Sequence, residues 1–87
     1  VRDIEFNLTL AEFSQLIIQN CHYCSGLPTN PVRYKESFME VNGIDRVDNQ
    51  SGYKLGNCVP CCFICNRAKS NLSYLDFKNW IERLKNV

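Results

Sequence analysis

The chain has 87 residues and a net charge of +1, enough for one domain and far from a polycation that coats nucleic acid. A chain this short buries a modest core and often depends on disulfides or a metal, and its 6 cysteines offer either. No apolar run approaches the roughly 18 residues of a membrane span, and no signal-peptide pattern opens the chain.

"NLTLAEFSQLIIQN" predicts an amphipathic helix. Thr9 and Glu12 form a capping-box pattern. Leu10, Phe13, Leu16 and Ile17 recur at helical spacing and read as a core stripe. A cysteine knuckle, "CHYC", follows and ends in Ser25-Gly26. Pro28 and Pro31 make "LPTNPVRYKES" a loop. "SFMEV" reads as a short strand, Asn42-Gly43 as a turn and "IDRV" as a second, charged strand. "DNQSGYKLGN" is rich in turn formers and predicts an excursion. "CCFICNRAKS" predicts a short helix with Pro60 near its first turn. Ser73 is the expected N-cap of the last helix, which has Asp76 in its first turn. Phe77, Trp80, Ile81 and Leu84 form its apolar stripe. Charge is uneven along the chain. Residues 49 to 71 contain no acid but hold Lys54, Arg67 and Lys69, a local basic segment suited to a phosphate contact.

The cysteines fall into two tight clusters, Cys21 with Cys24, and Cys58, Cys61, Cys62 and Cys65. Disulfide frameworks spread their cysteines along the chain. A Cys-x-x-Cys instead turns two thiolates towards one ion, and two such pairs close a tetrahedral structural zinc site. The second pair has two registers, Cys58 with Cys61 or Cys62 with Cys65. Six cysteines and one histidine cannot furnish eight ligands, so two independent four-coordinate zincs are excluded. His22 lies between two proposed ligands and reads first as an exposed knuckle residue, with a metal or catalytic role as the alternative. Zinc nucleobase deaminases carry His-x-Glu ahead of Pro-Cys-x-x-Cys. No His-x-Glu occurs here, which excludes that chemistry.

Taken together, "CHYC", "NGIDRVDN", "SGYKLGNCVPCC" and "CCFICNRAKS" resemble the HNH nucleases. The resemblance covers about Cys21 to Lys69. It implies a small α+β fold, the ββα-metal motif with flanking helices, held by a structural four-cysteine zinc site. It also implies a single nuclease domain over residues 1–87 with its core motif at 21–70, either whole or part of a longer protein. Asp45 takes the acid position and Arg46 the place of the first histidine. Asn57 matches the middle asparagine, Asn66 replaces the last histidine and Lys69 matches the family's lysine. Because Asn66 must follow the last zinc ligand, the implied zinc set is Cys21, Cys24, Cys62 and Cys65.

The implied activity is metal-dependent DNA endonuclease chemistry. Asp45 would give an anionic oxygen and Asn66 a carbonyl oxygen to a divalent ion, hard donors that suit magnesium or manganese. Asn57 would brace the long loop. Arg46, Lys54, Arg67 and Lys69 would meet phosphate. The departure from the family is Arg46, for arginine stays protonated and cannot serve as the general base. It can grip the scissile phosphate and stabilise charge in the transition state. Three alternatives follow. The base comes from Tyr34, Tyr23, Tyr53 or His22; or metal-bound water attacks unaided; or the domain binds nucleic acid or protein without cutting. Neighbouring residues on a regular strand point to opposite faces, so Asp45 and Arg46 can share a phosphate only where the strand bends or ends. The expected setting is intracellular, with DNA as partner and either a homodimer or an added DNA-binding domain to grip a site.

Overall fold

α1 spans Leu10–Ile17 and starts at a complete capping box. Thr9 Oγ1 accepts from the Glu12 amide at 3.1 Å, and Glu12 Oε1 accepts from the Thr9 amide at 2.9 Å. The structure, a computed structural model, describes residues 5–87, with the side chain of Tyr34 outside the described residues. Of the expected stripe on α1 only Leu16 is buried; Phe13 and Ile17 are partly covered and Leu10 is 82% exposed. The helix rests lightly on what lies beneath it.

After the knuckle come β1 (Asn30–Tyr34) and β2 (Ser37–Val41), an antiparallel hairpin pairing Asn30 with Val41 and Tyr34 with Ser37. This corrects the expected loop. Pro31 is tolerated because a two-stranded ribbon has only edges. Lys35 makes the reversal at φ 58°, a left-handed conformation without the usual glycine.

β3 (Gly43–Arg46) then pairs antiparallel with β4 (Cys58–Cys61), Gly43 opposite Cys61 and Arg46 opposite Cys58. A 3-10 turn at Leu55–Asn57 delivers the chain into β4. Pro60 therefore sits in a strand, and not in the first turn of the helix as expected. α2 (Phe63–Lys69) begins three residues later, with Cys62 as its N-cap; the Cys62 sulfur accepts from the Cys65 amide at 3.3 Å. α3 (Tyr74–Lys85) starts at Ser73, whose hydroxyl accepts from the Asp76 amide at 3.0 Å.

The core gathers Cys21, Tyr23, Cys61, Cys65 and Phe77, with Val59, Cys62, Tyr74 and Ile81 packed around it. Phe77 meets Tyr23 edge to face at 4.9 Å between ring centroids. Trp80 and Leu84 remain on the surface side of α3. The interior is thus built around cysteine sulfurs, as a chain with so little aliphatic core requires. Among the described residues, no helix is long and apolar enough to cross a membrane.

Candidate active site

Cys21, Cys24, Cys62 and Cys65 bring their sulfurs within 4.8 Å of one another. Zn–S bonds of about 2.3 Å in a tetrahedron would set the sulfurs about 3.8 Å apart. Cys24 and Cys62 already stand at 3.7 Å, so the set fits a single zinc. The knuckle is preshaped: the Ser25 amide donates to the Cys21 carbonyl at 2.9 Å, and the Gly26 amide points to the Cys24 sulfur at 3.3 Å. All six cysteines are free thiols. Burial opposes ionisation of Cys21, but the backbone amides of Cys24, Cys62 and Tyr23 outweigh it and bring its pKa from 9.0 down to about 7. Burial pushes Cys24 and Cys65 up. Cys58 and Cys61 stand outside the four-sulfur set, and burial raises both.

The centre of the candidate site is Asp45, on β3. Its Oδ2 accepts from the Tyr23 hydroxyl at 2.5 Å and lies 3.0 Å from the Lys69 ammonium. Lys69 reaches it from the last turn of α2 and also donates to the Arg46 carbonyl at 3.1 Å. Lys69 is 1% exposed and the Asp45 side chain 11%. The expectation that Lys69 meets phosphate is therefore corrected: its ammonium is interior and engaged. Burial, then the hydrogen bond to Asp45, raises the Tyr23 pKa, which sets that phenol apart from the base candidates. Oδ1 of Asp45 has no partner among the described residues. No buried side-chain oxygen there lacks one, so Oδ1 reaches solvent.

Arg46 faces the other way. Its Nη1 donates to the carbonyls of Asn49 and Ser51, both at 3.1 Å, and its guanidinium lies 5.2 Å from the centroid of the Tyr53 ring. The side chains of Asp45 and Arg46 thus sit on opposite sides of β3, as strand alternation demands, and share no partner, although Lys69 joins the Asp45 carboxylate to the Arg46 main-chain carbonyl. Asn57 is the buried brace that the sequence suggests. Its Oδ1 accepts from the Asp48 amide at 2.8 Å, and its Nδ2 donates to Asp48 O at 3.0 Å and Gly52 O at 2.9 Å. A side chain on Gly52 would meet Glu5 O at 2.6 Å, so the loop closes on residue 5 only with glycine there.

Asn66 is exposed on α2 and lines a cavity of about 350 Å³ with Asn30, Gly43, Cys61 and Phe63. Its side chain has no partner among the described residues, so its amide is open to a ligand. Asp45 does not line that cavity, and no hydrogen bond joins the two residues. Lys54 and Arg67 are exposed, and Arg67 stacks over Phe63 at 5.4 Å. His22 Nε2 hydrogen-bonds Tyr74 Oη at 2.7 Å; burial and then Lys78 hold its pKa below 6.5. The side chain of Tyr34, named as an auxiliary, lies outside the described residues. Sequence reasoning missed Asn42, whose Nδ2 donates to Gln19 O at 2.9 Å and Gly26 O at 3.4 Å and so ties α1 and the knuckle to the start of β3. Beside Gly43 it reads only as a turn residue. It also missed Tyr23 as the residue that orients Asp45.

No family model matches the chain. Protein R423 of Acanthamoeba polyphaga mimivirus, described as uncharacterized, is 41% identical over 76 residues. That match takes in 87% of this chain but 13% of R423, so the chain spans a small part of that relative's length. Among solved structures, the rare-cutting HNH restriction endonuclease PacI is similar at 29% identity and a TM-score of 0.65, over 95% of this chain and 66% of the PacI chain. The fold is therefore small α+β and HNH-like, with two short sheets and three helices among the described residues and four cysteines placed to hold a metal ion.

Proposed function

We propose that this chain is an HNH-type nuclease domain, a zinc-stapled, metal-dependent endonuclease acting on DNA phosphodiesters. The observation that carries the reading is the likeness to PacI along nearly the whole chain, at 29% identity. The site residues are compatible with it. Asp45 Oδ1 is open and the Asn66 amide is unspent, hard oxygen donors for magnesium or manganese. When bound, such an ion would neutralise charge on the phosphate and leaving oxygens. Arg46 keeps Nε and Nη2 for a phosphate while Nη1 holds the loop. Tyr53 is the base candidate that Arg46 itself touches. Lys54 and Arg67 are the exposed cations left for the DNA backbone. The domain works inside the cell, and a second copy or a further domain supplies the grip on a target.

A plasmid assay with magnesium, manganese or EDTA tests this, run beside Asp45→Ala and Arg46→His. Metal-dependent cutting that is lost in Asp45→Ala is expected, with Arg46→His changing the rate alone. Full activity in Asp45→Ala would sink the site assignment. One observation favours a second reading, a zinc module that binds without cutting: Asp45 is already held by Lys69, and Arg46 is turned from it. Salt-sensitive DNA binding without cleavage in any divalent ion, with cutting restored by Arg46→His, would establish that reading instead.

A further inference from the structure

Lys69 is the buried cation among the described residues, and it sits on the very carboxylate proposed to hold the catalytic ion. Asp45 contributes one negative charge and Lys69 cancels it at 3.0 Å. Asn66 is neutral, and Arg46 adds a positive charge at the next position along β3. A divalent ion approaching Oδ1 therefore meets a protein ligand set with no net negative charge. Magnesium and manganese dehydrate reluctantly and rely on carboxylates plus substrate phosphates. The missing negative charge can come from DNA.

We infer that Lys69 makes loading of the catalytic ion conditional on DNA: the free protein holds the ion weakly, and the phosphodiester completes the site. This rests on the nuclease reading above. Binding linkage requires that DNA and ion strengthen each other by the same factor. Lys69 also fixes the carboxylate, since its ammonium joins Oδ2 to the Arg46 carbonyl and leaves Oδ1 facing out. Removing it should therefore move two properties in opposite directions. Ion affinity without DNA should rise, because a buried positive charge is gone. Turnover should fall, because Asp45 loses an anchor. A merely structural lysine would lower both.

The test uses the zinc-loaded full chain. Manganese affinity without DNA is read by electron paramagnetic resonance for the wild type, Lys69→Met, Tyr23→Phe and Asp45→Asn. Affinity for a random-sequence phosphorothioate duplex is read by filter binding, with and without manganese at constant ionic strength. Manganese should tighten wild-type duplex binding about tenfold or more, the scale of one charge a few ångströms away. Lys69→Met should bind manganese about tenfold or more tightly without DNA, and the gain from manganese on duplex binding should shrink. Tyr23→Phe removes a hydrogen bond but no charge and should not raise the affinity. Equal or weaker manganese binding by folded Lys69→Met overturns the inference, as does wild-type duplex binding that ignores manganese. The wild-type comparison decides alone if Lys69→Met does not fold. These failures leave the nuclease reading intact when Asp45→Asn loses manganese and cleavage. Unchanged manganese binding and cleavage in Asp45→Asn, or no duplex binding at all, overturns both.

Discussion

At the scale of single residues, the polar interior is concentrated in a few side chains. Asn57 satisfies three backbone groups of the 48–52 loop with one amide. Asn57→Ala should cost about 2–3 kcal/mol, since the freed loop carbonyls and amide lose partners that water only partly replaces. Thermal unfolding checks this, and Asn57→Asp should be no better, because it turns an acceptor towards two carbonyls. Tyr53→Phe keeps the ring against Arg46 but removes the hydroxyl. A fall in cleavage of about 100-fold or more, with folding intact, is expected if that phenol serves as base. Unchanged cleavage would leave attack to water without a protein base. The brace role of Asn57 was legible because an asparagine beside a turn-rich loop has an obvious use. The fate of Lys69 was not. A lysine in an acid-free segment reads as surface, and only folding shows that one turn of α2 carries it inward to Asp45.

At the scale of elements, the termini were easier to read than the packing. Capping boxes and hydroxyl N-caps act within four residues, so Thr9 and Ser73 stand as the sequence implies. Ser73→Ala should cost about 1 kcal/mol and lower the melting temperature by about 4–8 °C in a domain of this size. Circular dichroism melting checks it, and no change would mean that α3 is held by the packing of Tyr74, Phe77 and Ile81 without help from its cap. β1 is hard to read in the sequence because two prolines suggest a loop, whereas an edge strand spares the missing amide. A proline before a helix fits either side of the boundary, so the sequence alone does not distinguish a first helical turn at Pro60 from the strand β4 that holds it. The choice between the two cysteine registers also belongs here. Cys62 both caps α2 and completes the sulfur set, while Cys58 and Cys61 are held in β4.

At the scale of the whole molecule, metal and fold are coupled. Cys21, Cys62 and Cys65 belong both to the core and its packing shell and to the zinc set, so stripping the metal should remove most ordered structure. Chelation followed by far-ultraviolet circular dichroism tests this, and unchanged ellipticity would contradict it. The metal-free chain has its own pH dependence. Cys24, Cys58, Cys61 and Cys65 are all raised above 9.0 in the fold. Their stabilisation is present below pH 9.0 and lost as pH rises through the raised values, because the unfolded thiols ionise first. Cys21 runs the other way; its contribution is present above 9.0 and lost as pH falls through about 7. Four groups against one predict that any residual metal-free fold weakens above pH 9.0, read by denaturant titration.

The aromatic stack has an optical consequence. The chain holds one tryptophan. Trp80 stacks on Phe77 at 5.9 Å, and Phe77 touches Tyr23, whose hydroxyl ends on Asp45. A single indole is thereby wired by contact to both the sulfur-lined interior and the carboxylate. Its emission wavelength and its energy transfer from Tyr23 give the protein a built-in, label-free gauge, so that zinc loss and a disturbance at Asp45 can be followed in real time in the same cuvette.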